Sequence, residues 1–436
     1  KRGEQLLAPL DGQSVLLLGV GDRDKFDLAA LRRAGAQVAR RTAKAESVAT
    51  TLLTAVHSGI DYSAAAQALA EGIVLGSYQF LRYKSSAKPS RLTRVQIVGP
   101  SSTATRAAAA RGVAIAGAVC WARDLVNEPA AAKSPGDIAE IARKVARSSG
   151  LKVKVFTGEQ LARERFGGVV GVGKGSERPP YFVRLEYAPA GARHTVAFVG
   201  KGVVFDSGGL SIKTAAGMET MKTDMSGAAA VIAAMSTLRE LKVKARVVAY
   251  VPLVENMPSG TAMRPGDVLT MRNGKTVEVI NTDAEGRLIL ADALSLAHEE
   301  GADAIVDIAT LTGGVTIALG EKIGALMGNH GPMIDQVRAA AARSGERLWQ
   351  LPLPDDYHRL IESDVADLRN QANPGGGSTI TAGLFLQDFV SGTPWAHLDI
   401  AGAARASADD AEVSKGGTGF GVRTLIEVAR SFRAPK

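Results

Sequence analysis

Four short apolar runs constrain this chain more than anything else in it: Thr195 to Val199, Ala245 to Val254, Ala304 to Ile308 and Ala396 to Ile400. Each has the length of a strand and is apolar enough to be covered on both faces, as central strands of a parallel sheet are. Helical stretches lie between them, near Met218 to Leu241 and Ala284 to Glu299. Short β-branched runs alternating with longer helices argue for α/β architecture. Lys152 to Phe156 and Tyr181 to Tyr187 read as further strands, and Ser134-Pro135-Gly136-Asp137 opens a helix reaching about Ser149. Upstream, Val15 to Val20 and Val95 to Val98 read as strands; Asp27 to Arg33, Ala45 to His57 and Ser63 to Leu75 read as helices. The Ala-rich stretch Thr103 to Leu125 has high helix propensity and can join two domains. Pro129 and Pro135 then break the chain. The expected organisation is a smaller N-terminal α/β domain with its linker helix, residues 1–124, followed by a larger α/β domain, residues 125–436. The larger domain is expected to hold a mixed, mostly parallel central sheet flanked by helices.

Bulk properties agree. The 436 residues suit two or three domains, and 46% hydrophobic with 22% charged residues can bury a sizeable core. No apolar run reaches the ~18 residues that a membrane span needs. No secretory signal is visible at the start, which is Lys1 and not Met. The lone Cys120 cannot form an internal disulfide, which fits a cytoplasmic setting. The net charge of +8 permits nucleic acid as a partner. Yet the basic residues are scattered and aromatics are only 5%, so a solvated basic surface is the plainer account.

Several motifs fail on inspection. Gly19-Val20-Gly21-Asp22-Arg23-Asp24 has Asp where a dinucleotide fingerprint needs its third glycine. Gly168 to Ser176 has Gly175 after Lys174, where a phosphate loop needs Ser or Thr. The six histidines show no metal spacing, and His397, inside a strand, reads as a satisfied core residue. Gly375-Gly376-Gly377-Ser378 reads as a flexible loop.

The chemistry concentrates in and beside two Gly-rich blocks, Gly200 to Lys213 and Asn281 to Leu288. They supply Lys201, Asp206, Lys213, Asp283, Glu285 and Arg287, with Asp224 on the segment between. These residues fall just after strands or at the starts of helices, where open α/β sheets place their sites. Asp283 and Glu285 could cap the helix that follows, a contribution of at most about 1–2 kcal/mol. That account leaves Asp206 and Asp224 unexplained. A buried ion-pair network among the seven residues nearly balances and stays open. A pair of divalent cations uses the chemistry better: hard cations prefer carboxylate oxygens, and two dications neutralise four acids. Lys213 and Arg287 then remain to meet an anion.

At this point the chain resembles the leucine aminopeptidase (cytosol aminopeptidase) family of two-metal exopeptidases. The resemblance rests on Val199-Gly200-Lys201-Gly202 through Phe205-Asp206-Ser207-Gly208-Gly209, on Lys213, on Met221 to Asp224, and above all on Asn281-Thr282-Asp283-Ala284-Glu285-Gly286-Arg287-Leu288. Arg123 to Asn127, Ala309 to Gly313, Gly377 to Ala382 and His397 to Gly402 also match, so the likeness covers roughly residues 123 to 425. It implies that residues 125–436 are a catalytic two-metal aminopeptidase domain. Asp206 and Glu285 would bridge two divalent ions, Mn²⁺ or Zn²⁺; Lys201 and Asp224 would complete the tighter site and Asp283 the more exchangeable one. Lys213 would stabilise the oxyanion, and Arg287 would hold a bicarbonate acting as general base on the bridging water, so that a metal-bridging hydroxide hydrolyses the peptide. Asp224 would also receive the substrate α-amine. Met221, Thr310 and Gly313 would form the pocket for a Leu or Met side chain, and Leu311 would contact substrate through its backbone. The resemblance further implies a cytoplasmic homohexamer acting on peptides, with no membrane. A DNA-binding regulatory role and Cys-Gly dipeptidase turnover are the competing readings.

Overall fold

The computed structural model describes residues 3–22, 25–57, 59–372 and 376–435. Arg23 and Asp24 of the rejected dinucleotide turn, and Gly375 of the glycine run, lie outside them. Two compact units form: Lys1–Trp121 with Ala406–Thr418, and Ala122–Arg405 with Gly419–Lys436.

In the first unit, Gln5–Leu10 and Gln13–Leu18 form an antiparallel hairpin, and Ser47–Thr50 pairs in parallel with Arg94–Ile97. The helices Leu28–Arg41 and Tyr62–Ser77 pack tightly because a Cβ at Gly72 would fall 1.9 Å from the carbonyl oxygen of Arg32. Arg32 and Glu71 pair at 2.7 Å within that contact. The helix expected over Ala45 to His57 is instead the strand Ser47–Thr50 followed by a 3-10 turn, Leu52–Ala55. Val48, Thr50 and Thr51 explain the difference: β-branched side chains fit a paired strand better than a helix. Thr103–Asn127 is the long helix expected.

The second unit is built on a nine-stranded sheet. Their order is Leu348–Gln350, Gly324–Gly328, Trp395–Asp399, Ala304–Ala309, Thr195–Gly200, Arg246–Asn256, Tyr181–Tyr187 and Lys152–Thr157. The ninth, Gly202–Asp206, pairs with Arg246–Asn256. The four central apolar strands are mutually parallel, and antiparallel neighbours appear outside them. The sheet is therefore mixed and mostly parallel, as expected. Ser134 and Asp137 form a reciprocal capping box at the start of Pro135–Ser149. The helix expected over Met218 to Leu241 is interrupted. A short turn, Ala215–Met218, is followed by the 3-10 turn Met221–Thr223 and the helix Ser226–Thr237. Thr223 Oγ1 donates back to the Thr220 carbonyl at 2.7 Å, the local competition by which Thr breaks helices.

Candidate metal centre

The site starts from one long strand that serves two shorter ones. Thr195–Gly200 runs along the first half of Arg246–Asn256, with Val199 opposite Tyr250. Gly202–Asp206 runs along the second half, with Asp206 opposite Asn256. Lys201 sits at the break between them. Its N–H donates to the Ile308 carbonyl at 3.1 Å and its own carbonyl accepts from Ala228 N at 2.8 Å. The neighbouring parallel strand Ala304–Ala309 leads directly into Thr310 and Leu311. The catalytic candidates thus gather at the carboxyl ends of parallel strands.

Lys201 and Asp206 are only 3% and 2% exposed. Lys201 Nζ donates to the Thr310 carbonyl at 2.8 Å and lies 2.9 Å from both Asp224 Oδ2 and Glu285 Oε1. Lys213 Nζ lies 2.8 Å from Asp206 Oδ2 and also pairs with Asp283. Asp206 Oδ1 accepts from Gly208 N at 2.9 Å and from Asn256 Nδ2 at 2.8 Å. Asp224 Oδ1 accepts from Thr310 Oγ1 at 2.7 Å. One carboxylate oxygen from each of Asp206, Asp283 and Glu285 lies within 4.8 Å of the others. Asp224 stands outside that trio and is joined to it through Lys201.

Helix capping does not account for these acids. The helix begins at Gly286, so the N-cap is Glu285 and not Asp283, and the Glu285 side chain makes no capping hydrogen bond. The ion-pair account covers only part of the arrangement. Lys201 and Lys213 sit among the acids, but Glu285 Oε2 is buried with no hydrogen bond and no ion pair among the described residues. The electrostatics report the same shortfall of positive charge. Burial, and then the charge of Asp206, push the Glu285 carboxyl up to about 8. Burial pushes Asp224 up to about 7 against the pull of Lys201, and burial also raises Asp283. The two lysines stay above the ordinary amine range: burial alone would lower them, and the surrounding carboxylates outweigh it. A buried acid with an unpartnered oxygen and a raised pKa fits a cation of higher charge than lysine supplies. The donor set is all oxygen plus one amine, which suits a hard or borderline divalent ion.

Arg287 is 6% exposed, and burial lowers its guanidinium to about 10. Its Nε has no hydrogen-bond partner, and no ion pair holds it among the described residues. It lines a cleft of about 550 Å³ together with Lys201, Asp206, Lys213, Asp224 and Asp283. Met221, Thr310, Leu311 and Gly313 line the same cleft, while Glu285 lies beneath it at 1% exposed. The residues singled out from sequence are therefore brought together.

Two supporting residues were missed, and a third has a role beyond the one expected. Asn256 orients Asp206 and also donates to the Thr282 carbonyl at 2.9 Å, but nothing marks it at the end of an apolar run. The Thr310 hydroxyl fixes Asp224, a role beyond the pocket role expected of Thr310. Asp399 accepts from Leu311 N at 3.1 Å and Thr312 Oγ1 at 2.6 Å, which holds the loop after the strand Ala304–Ala309. His397 is only half satisfied: Nδ1 meets Asp307 Oδ1 at 2.6 Å, and the buried Nε2 has no partner.

Comparison with known proteins places this arrangement in context. Residues 120–426 match the catalytic domain of the cytosol aminopeptidase family, and residues 4–87 match its N-terminal domain. A probable cytosol aminopeptidase of Solibacter usitatus (strain Ellin6076) is 46% identical over 424 residues, spanning 96% of this chain and 87% of the relative. Among solved structures, the bottromycin maturation enzyme BotP in complex with Mn superposes with a TM-score of 0.94 at 43% identity, over 99% of this chain and 94% of that one. A mutant of tomato leucine aminopeptidase gives 0.90 at 35% identity, over 98% of this chain and 84% of that one.

Proposed function

The chain belongs to the cytosol aminopeptidase family and is a metal-dependent aminopeptidase, and we propose that it removes the N-terminal residue of peptides with a preference for Leu, Met and other bulky apolar side chains. In this reading Asp206, Asp283 and Glu285, with Lys201 and Asp224, hold two divalent ions, Mn²⁺ or Zn²⁺. Such ions supply an activated water and a polarised scissile carbonyl. The protein supplies the rest. Asp224, fixed by the Thr310 hydroxyl, receives the α-amine and so restricts cleavage to the first residue. Lys213 stabilises the oxyanion that develops on the carbonyl, the electrostatic term that usually dominates such reactions. Arg287, a buried cation without an ion pair among the described residues, holds bicarbonate as general base. Met221, Thr310 and Gly313 accept the apolar side chain, and the backbone of Leu311 aligns the peptide. No helix among the described residues is long and apolar enough to cross a membrane. The reading includes a cytoplasmic homohexamer, testable by light scattering.

The observation that carries this reading is the unpartnered, buried Glu285 Oε2 inside a trio of carboxylates. The test is a leucine-anilide assay on EDTA-treated protein titrated with Mn²⁺, Zn²⁺, Co²⁺ and Mg²⁺. Turnover is expected to vanish on chelation and return with Mn²⁺ or Zn²⁺. Undiminished turnover in the stripped protein would overturn the reading.

A further inference from the structure

Lys133 is a fully buried lysine outside the catalytic cluster, 1% exposed, and no carboxylate pairs with it among the described residues. Its Nζ instead donates to three backbone carbonyls: Leu125 at 2.8 Å, Val126 at 3.1 Å and Lys222 at 2.8 Å. The first two belong to the last turn of the helix Thr103–Asn127, whose terminal carbonyls have no donor within the helix. The third lies 89 residues further along the chain, two positions before Asp224. Lys222 answers in the opposite direction, its Nζ donating to the Asn127 carbonyl at 2.6 Å. Two lysines thus cross between the helix end and the segment that carries Met221 and Asp224.

We propose that Lys133, with Lys222 as its counterpart, is a positioning residue for the Asp224 side of the metal centre, tying the 221–224 segment to the carboxyl end of the helix Thr103–Asn127. The need for such a tie is visible locally. The segment is a three-residue 3-10 turn held by Thr223 N to the Thr220 carbonyl at 3.0 Å and Asp224 N to the Met221 carbonyl at 3.2 Å. Turns this short have little stability of their own. Burial, and then the charge of Lys222, lower the Lys133 amine to about 7, and the contacts oppose that: three carbonyls meet three N–H groups only in the ammonium, whereas a neutral amine would leave one carbonyl unmatched. The negative end of a 25-residue helix favours a cation at that spot. An apolar side chain could fill the same volume, but it would strand three buried acceptors.

A helix cap alone would need only the first two contacts. The third contact makes Lys133 a link to the cleft, and it separates the proposal from a purely structural role. This inference rests on the proposed roles of Asp224 in binding metal and the substrate amine. Its primary readout needs neither. Hydrogen exchange of peptides spanning residues 220–226 is measured by mass spectrometry on the intact, metal-free chain, native and Lys133→Met. The variant is expected to exchange at least about tenfold faster there, with exchange in the central sheet unchanged. Metal affinity should fall about 10- to 100-fold, as it does when a residue orienting a ligand is lost. At saturating metal, KM for leucine anilide should rise about tenfold while kcat changes less than threefold. In Lys133→Ala, added methylammonium should restore slow exchange at 220–226. Native exchange at 220–226 together with native KM in a folded Lys133→Met would overturn the proposal. Should that variant not fold, Lys222→Met carries the same test from the half-buried side, and native exchange there would overturn it equally. A native chain that shows no peptidase activity would defeat the functional reading and leave the exchange result standing by itself.

Discussion

Glu285 lies beneath the cleft with its carboxylate Oε2 unpartnered among the described residues. Its carboxyl is pushed up to about 8 by burial and by Asp206, whereas an unfolded glutamate releases its proton near 4.5. Between those values the folded chain binds more protons than the unfolded one, so the metal-free protein loses stability as pH rises through that window. The raised lysines titrate above the window and do not alter the sign. Melting curves in EDTA should therefore fall from pH 5 to pH 8, and Glu285→Gln should flatten the slope. Cation binding should tighten over the same range and release protons, measurable by calorimetry in two buffers of different ionisation enthalpy. A metal affinity independent of pH would contradict this account of the site. Lys213→Ala should lower kcat/KM by about 10²–10³, the usual cost of losing an oxyanion donor, with metal content unchanged by elemental analysis. A loss of metal in that variant would instead place Lys213 as a neutraliser of Asp206 and Asp283.

The helix Gly286–Glu299 shows why the signature contains a glycine at its first helical position. A Cβ on Gly286 would fall 2.6 Å from Lys201 Nζ, so the amine can cross the helix start only because no side chain is there. Gly286→Ala should gain up to about 0.5–1 kcal/mol of intrinsic helix stability, yet it must displace Lys201 from Asp224 and Glu285. The expected outcome is a melting temperature at or below native, because separating a buried pair outweighs the helix gain, with at least tenfold lower kcat/KM; full activity would show that Lys201 has another route. The same element explains why capping was a misleading reading of Asp283 and Glu285. A sequence places an acid near a helix start without saying whether it turns toward the backbone or away from it. Here Glu285 turns to Lys201, and the N-cap hydrogen bond is not made.

Across the molecule, the central strands were legible because parallel strands between helices are apolar throughout, and Tyr181–Tyr187 shows the same ends in sequence and structure. The segment 218–241 was not legible as separate pieces, since Ala, Met and Ser suit a continuous helix and the local bond from Thr223 Oγ1 to the Thr220 carbonyl leaves no mark in composition. Residues 45–57 were misread for the mirror reason: a strand that pairs with Arg94–Ile97 depends on a partner more than forty residues away. The charged residues of the site were legible from spacing and resemblance, but of their supports Asn256 and Lys133 carry no local pattern, and Asp399 lies in a matching segment that assigned it no role. Cation binding to the folded chain alone should raise the melting temperature with concentration, by mass action. Scanning calorimetry across a Mn²⁺ series checks this, and a midpoint insensitive to Mn²⁺ would argue against a site formed by folding. Finally, Thr195–Gly200 and Gly202–Asp206 share one supporting strand, and the second shifts its register against it between Val203 and Phe205, so the face that Asp206 takes is set by that shift. A further slip of one residue would turn Asp206 to the opposite face of the sheet, away from the other acids. Ion uptake by refolded material is consequently an all-or-none audit of strand alignment: chains that captured the ion would be those that threaded correctly.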